Sequence, residues 1–372
     1  MAGLYVHIPF RTRDRAYDDA FVATGDAINY DAFTEAAERE LRQQAKLHGR
    51  ELPLHSAYAG GGRPSLIPLQ AMVPLLRAVN AFQTDQIEEV TAEVAPNDAT
   101  ARYLKGLATM GFNRLVVSAL SFDDADLETI DAPHTAYDIY ECLDHARDAG
   151  IENISIDVTF GWSESSLERW QRTLEAAVAC DVPHITLLEW PAYSTDEAQE
   201  LLRTKQYRYA LRYLQDEGFE AYEISHFARP GYRSKHNENY WSHGSFLGIG
   251  PAAHSFWWYP ESENPRRWAN VQDVESYAQL LAEGKSPVSV RQAVDRRTLA
   301  EEYLMMRLRV SDGLDLDYYN RRYEVDLRAQ RTDLLAHLQE HDLIHSLDEG
   351  VLRLTDAGRL VCDEIVRRLL PD

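Results

Sequence analysis

The run Leu4-Tyr5-Val6-His7-Ile8-Pro9-Phe10 leads into Arg11-Thr12-Arg13-Asp14-Arg15-Ala16-Tyr17-Asp18-Asp19-Ala20-Phe21, and the fold is decided there. A short apolar, β-branched run that stops at a proline and opens into charge reads as a buried strand feeding a polar loop at its C-terminal end. No cysteine lies in that loop. Three arginines do.

Downstream, helical and extended patterns alternate. The spacing predicts helices over 30–47, 68–82, 98–110, 134–149, 165–179 and 195–215, and strands over 54–59, 89–94, 114–120, 153–160, 184–190 and 219–225. Gly150 follows the fourth of these helices as a stop signal. Strands alternating with crossover helices imply a parallel sheet with right-handed connections, here an open or partial (β/α) barrel over 1–228. From 229 to 290 the sequence turns glycine-, aromatic- and histidine-rich with little periodicity, which predicts an irregular lid or connection. Over 291–372 the pattern predicts helices at 299–307, 316–323 and 328–341, a hairpin at 343–354 with Asp348-Glu349-Gly350 as its turn, and a last helix at 356–370 capped by Thr355. That order is winged-helix-like, α+β.

The chain has 372 residues and a formal net charge of −22. That balance argues against nucleic acid as a partner, because phosphate binding needs basic surface. The C-terminal segment is itself richer in acidic than in basic residues, so a packing or partner role is expected for it. Only five of the basic side chains are lysines (Lys46, Lys105, Lys205, Lys235 and Lys285), a surface suited to a salt-rich interior. No run has the apolar length of a membrane span, and the N-terminal sequence has no leader pattern, which together predict a cytoplasmic protein. Cys142, Cys180 and Cys362 share no ligand spacing and are expected to be small buried hydrophobes. No metal site is predicted.

In a barrel of parallel strands, ligands sit at the carboxyl ends of the strands. The residues there are Gly60-Gly61-Gly62-Arg63-Pro64-Ser65, then Glu93 in Thr91-Ala92-Glu93-Val94-Ala95-Pro96, then Asp157 in Ser155-Ile156-Asp157-Val158. A glycine turn lets backbone approach a ligand. Each carboxylate interrupts an apolar strand, where a charge needs either a ligand or an ion pair. Further on, His236-Asn237-Glu238-Asn239-Tyr240-Trp241 offers an imidazole able to ligate iron and two flat rings able to face a porphyrin. The other reading of that segment is a structural lid whose histidine and aromatics satisfy one another.

These motifs, in this order, resemble those of the oxygen-independent coproporphyrinogen III oxidase family, and in particular its haem-chaperone (HemW-type) branch within the radical S-adenosylmethionine (SAM) superfamily. The resemblance implies a radical-SAM-type partial barrel with a winged-helix-like C-terminal domain. It implies a [4Fe–4S] cluster on three cysteines of the first loop; the matching positions here are Arg11, Arg15 and Asp18. A guanidinium has no lone pair for iron, so the cluster is expected to be absent. The resemblance also places Tyr5, Gly61, Gly62, Arg63, Glu93 and Asp157 around the SAM site. Leu120 stands where that family has a glutamine and Ala132 where it has an arginine, so SAM binding is expected to be lost as well. It associates the segment containing His236, Tyr240 and Trp241 with haem, the candidate cofactor. The expected function is a tetrapyrrole-binding or haem-trafficking protein, with no catalytic residue assigned and a protein partner for delivery. Arg11, Arg13, Arg15 and Arg63 could then anchor the propionates of haem or another small anion, unless nearby acids neutralise them. The alternatives are an enzyme keeping SAM or another small ligand for non-radical chemistry, and a pseudoenzyme partner subunit.

Overall fold

The computed structural model describes residues 1–11, 22–24, 29–49, 53–82, 85, 87–162, 164–191, 197–259 and 264–370. Its strands are β1 (Ala2–Ile8), β2 (Phe10–Arg11), β3 (Ala23–Thr24), β4 (Leu54–Gly61), β5 (Glu89–Val94), β6 (Arg114–Leu120), β7 (Asn153–Phe160) and β8 (His184–Glu189). They continue with β9 (Glu220–Ala221), β10 (His226–Ala228), β11 (Ser245–Ile249), β12 (His254–Trp257), β13 (Arg266–Asn270) and β14 (Val288–Ala293). The main sheet has twelve strands in the order β14-β13-β12-β11-β1-β4-β5-β6-β7-β8-β10-β9. From β11 to β8 all neighbours are parallel, and the flanking strands are antiparallel. The sheet is therefore an open, partial barrel whose parallel strands all point their carboxyl ends at one face.

Helices α1 (Tyr30–His48), α2 (Leu69–Val79), α3 (Ala101–Thr109), α4 (Asp124–Thr129), α5 (Ala136–Asp148), α6 (Leu167–Ala179) and α7 (Glu197–Asp216) are the crossovers. Local chemistry sets their starts: Asn29, Thr100 and Ser166 cap α1, α3 and α6 by accepting a backbone N–H, and Thr135 with Asp138 forms a full capping box on α5. The main core lies between these helices and the outer sheet face, where Leu4, Leu41, Leu104, Leu115, Ile156 and Leu174 are wholly buried. The inner face is different. It buries Ser56, Thr91, Arg114, Ser155 and His184, so the barrel axis is polar.

The strand expected over 219–225 is instead the two-residue β9, a turn, and β10 running antiparallel to β8. Its polar positions are drawn off to other partners: Glu223 is 1% exposed and binds Arg309. The segment 229–290 is not irregular. It holds α8 (Lys235–Trp241), the antiparallel extension β11 to β14, and α9 (Val274–Ala282). Its strands hide from periodicity because they are short and carry bulky aromatics such as Phe256, Trp257 and Trp268, all buried.

The C-terminal segment runs α10 (Arg296–Arg309), β15 (Leu314–Asp315), α11 (Leu316–Tyr323), α12 (Leu327–Gln330), α13 (Thr332–Glu340), β16 (Val351–Leu352), α14 (Asp356–Arg359) and α15 (Cys362–Leu369). It has its own core around Leu304, Leu314, Tyr319, Leu338 and Leu352. β16 pairs with β15, and the expected 343–354 hairpin is reduced to an Ile344–Leu354 bridge. The expected final helix is broken after Arg359, where Gly358 packs against the Leu343 carbonyl too closely to admit a side chain. Among the described residues no helix is long and apolar enough to cross a membrane.

Candidate functional site

A cleft of about 490 Å³ opens at the carboxyl ends of β4 to β8. Arg11, Gly61, Gly62 and Arg63 line it, as do Glu93 and Asp157. The glycines are required by the chain itself. A Cβ on Gly60 would lie 2.7 Å from Glu93 Oε1, one on Gly62 would lie 2.6 Å from the Phe10 carbonyl, and Gly61 has φ +110°. Gly62 N–H donates to the Ile8 carbonyl at 2.7 Å and Arg63 N–H to the Phe10 carbonyl at 2.8 Å, which welds this turn to the end of β1.

Glu93 accepts from Tyr58 Oη at 2.7 Å and from Gly61 N–H at 3.0 Å. Burial raises its pKa against the opposing pull of those two donors and of Arg11. Asp157 is pushed up to about 7, first by burial and then by the Glu93 charge, against Thr186 and Arg114. Its Oδ1 has no hydrogen-bond partner among the described residues. The cleft therefore holds two carboxyls that resist ionising together, near His134 and His226, which sequence reasoning passed over. His134 is held by the Ala119 carbonyl at 2.9 Å, and His226 by Glu223 at 2.8 Å.

Arg63 corrects the expectation of an arginine poised for an anion. Its Nε and Nη2 donate to the two oxygens of Asp98, each at 2.6 Å, and Nη2 also reaches Asn97 Oδ1 at 2.8 Å. Ser65 Oγ donates to the same carboxylate at 2.6 Å. A bidentate pair this covered is structural: Arg63 fixes the glycine turn to the loop after β5. Asp98 is thus the acid that neutralises it. Arg11 Nη2 lies 3.5 Å from the Gly61 carbonyl. Arg13, Arg15 and Asp18 lie outside the described residues.

His236, Tyr240 and Trp241 sit on α8, which enters the barrel from the end opposite the cleft. Glu89, 3% exposed, caps that helix: its oxygens accept from Lys235 N–H at 2.9 Å, His236 N–H at 3.1 Å and Ser234 Oγ at 3.2 Å. Arg114 Nε lies 4.0 Å from Glu89. Both ring nitrogens of His236 are engaged, Nδ1 with Ser56 Oγ at 3.0 Å and Nε2 with Tyr240 Oη at 3.1 Å. Burial, then the charges of His55 and Arg114, lower its pKa to about 3. Its ring stacks on Tyr58, whose hydroxyl reaches Glu93, so an aromatic layer of Tyr5 and Tyr58 separates this histidine from the cleft. A buried, neutral, twice-bonded imidazole holds α8 in place and is not presented for iron. Trp241 does reach a surface, a second cleft of about 590 Å³ that it shares with Tyr222, Arg233, Lys235 and Arg307. Those cations have neighbours: Arg233 pairs with Asp312 at 3.2 Å, and Lys235 pairs with Glu88.

The donor set does not fit a [4Fe–4S] cluster. Arg11 occupies the first expected thiolate position, and the sequence has arginine and aspartate at the other two. Cys142, Cys180 and Cys362 are all buried, and none borders the cleft. For SAM, the glycine turn and Glu93 are retained, but Leu120 brings a hydrocarbon side chain to the lining, so the fit is partial.

This architecture is that of the radical SAM fold. The chain superposes on coproporphyrinogen III oxidase (HemN) from Escherichia coli, described as a radical SAM enzyme, with a TM-score of 0.84 and 20% identity over 99% of this chain and 90% of that one. Residues 22–177 match the radical SAM superfamily profile and residues 294–361 the HemN C-terminal domain profile. In sequence the chain resembles the haem-chaperone branch from end to end. It is 27% identical to a protein named haem chaperone HemW from Bacillus subtilis (strain 168), covering 98% of each. It is 28% identical to one of the same name from Mycobacterium tuberculosis (strain ATCC 25618 / H37Rv), over 99% of this chain and 94% of that. Identity is also 28% to a mitochondrial radical S-adenosyl methionine domain-containing protein 1 from Bos taurus, over 99% of this chain and 87% of that.

Proposed function

We propose that the chain is a HemW-like protein of haem or porphyrin metabolism that binds and carries a tetrapyrrole without radical SAM chemistry. The observation that carries this reading is the end-to-end likeness to proteins named haem chaperones, in a chain with Arg11, Arg15 and Asp18 where the likeness calls for thiolates. Haem is the proposed cargo. The cleft shared by Trp241 and Tyr222 is its proposed seat, since an indole face suits a flat apolar ring and Arg307, in the same lining, suits a carboxylate. His236 and Tyr240 serve that seat by fixing α8. The protein is proposed to act in the cytoplasm, with no nucleic acid partner, and to pass its cargo to another protein.

A second reading, an enzyme using a small ligand at the strand ends, draws on one observation: Glu93 and Asp157 share the upper cleft and both are held toward the protonated form. Tyr5, Gly61, Gly62, Arg63, Glu93 and Asp157 would form or support that pocket.

Anaerobic reconstitution of the full chain with iron and sulfide, followed by separate haem and SAM titrations, tests the proposal. The expected result is saturable haem binding, no SAM binding, and neither the charge-transfer absorbance of a thiolate cluster nor its iron, which for this cluster type is about four per chain. Stoichiometric cluster iron with SAM binding would overturn it.

A further inference from the structure

On α13, far in sequence from both clefts, His337, Glu340 and His341 bring one ligand atom each to within 4.8 Å of one another. All three are exposed. The spacing i, i+3, i+4 puts them on one helical face, one turn deep. The two imidazole rings lie 4.1 Å apart, centroid to centroid. His341 Nδ1 hydrogen bonds with the His337 carbonyl at 2.9 Å. A carbonyl can only accept, so the Nδ1 donates here and Nε2 is the ring nitrogen left to offer a metal its lone pair. This is the arrangement by which ligating histidines are usually held, the second nitrogen donating to a backbone oxygen.

We propose that His337, Glu340 and His341 form a binding site for a divalent first-row transition ion. Two imidazoles and one carboxylate suit zinc, nickel, cobalt or copper rather than calcium or magnesium, which favour all-oxygen shells. Zinc–ligand bonds of about 2.0–2.2 Å draw the three ligand atoms closer than they stand, a change that exposed side chains make by turning within their rotamers. The site lies in the last turn of α13 with His341 as its C-cap. The carbonyl end of a helix dipole favours a cation there, as does the acidic charge of the whole chain. Three protein ligands from one turn leave the remaining coordination positions to water, so the ion is exchangeable.

The test is calorimetric titration of Zn²⁺ into the untagged full chain, compared with the His337→Asn/His341→Asn variant and with Glu340→Gln. One Zn²⁺ per chain is expected, with affinity reduced at least tenfold in the double variant, an order set by what even outer ligand partners contribute. Affinity should rise from Co²⁺ through Ni²⁺ to Cu²⁺. Equal Zn²⁺ affinity in parent and double variant, or no Zn²⁺ binding by the parent, would overturn the proposal. Far-UV circular dichroism of the double variant should match the parent, since the three side chains are exposed. Haem binding by the same variant should be unchanged, so this site and the proposed tetrapyrrole seat fail or stand separately.

Discussion

Glu89 is the side chain that holds α8, and with it Trp241, against the barrel, so its removal should have a large and specific cost. In the structure its carboxylate accepts from two backbone N–H groups and one hydroxyl at the start of α8 and faces Arg114, which is 1% exposed. Glu89→Ala strips the cap and leaves a buried guanidinium without its carboxylate. Breaking a buried pair on one side costs about 3–5 kcal/mol, and a lost helix cap about 1 kcal/mol of that kind. Glu89→Gln keeps one acceptor oxygen but sets an amide NH₂ against the remaining donors and leaves Arg114 without its carboxylate, so a loss near the lower end of that range, about 3 kcal/mol, is expected. At about 2 °C per kcal/mol for a large domain, the alanine variant should melt roughly 6–10 °C below the parent. Thermal unfolding followed by near-UV circular dichroism reads this, because Tyr240 and Trp241 report the seating of α8. An alanine variant within about 2 °C of the parent on that scale would refute the assignment of Glu89 as the anchor.

Three further outcomes follow from particular contacts. Glu40 is fully buried, bound by Tyr277 Oη at 2.6 Å, Asn270 Nδ2 at 2.7 Å and Gly250 N–H at 2.9 Å, and burial pushes its pKa up to about 7 despite those donors. The native state therefore keeps a proton that the unfolded chain releases, so stability from this group is full below about pH 4.5, falls as pH rises, and is lost by about pH 7. Glu40→Gln should remove about 2.5 kcal/mol of the stability difference between pH 5 and pH 8 in urea unfolding, leaving the part due to Asp157; an unchanged difference would contradict the burial argument. Asp98→Ala should destabilise by about 3 kcal/mol and Arg63→Met/Asp98→Leu by distinctly less, since the pair is structural; additive losses in a double-mutant cycle would show otherwise. The full chain should not be retained on duplex DNA, and salt-sensitive retention would expose a basic face that its acidic C-terminal segment does not suggest.

The parallel core was legible because each strand there is a short run rich in β-branched and apolar residues, with its polar positions on the one face that lines the barrel. β5, β6 and β7 span the ranges expected of them, 89–94, 114–120 and 153–160. β11 to β14 were not legible, since strands of four to six residues give no alternation long enough to count. The cleft residues Glu93 and Asp157 stood out as charges inside apolar strands, and the structure brings them together. The fate of Arg63 did not, because its partner Asp98 lies 35 positions away in a loop whose path the sequence does not trace. For His236 the aromatic motif showed the residues but not the direction. Whether that ring faces a ligand or a neighbour depends on Ser56 and Tyr58 of β4, and only the register of β4 beneath α8 places them.

The most direct test of the proposed function is a haem titration of the purified full chain, read by the shift of the Soret band, alongside Trp241→Ala and Arg11→Ala. The account predicts saturation at one haem per chain in protein without a cluster, a weakened affinity for Trp241→Ala, and an unchanged affinity for Arg11→Ala, which lies at the other cleft. Absence of saturable binding by the parent would contradict it, and so would a loss confined to Arg11→Ala.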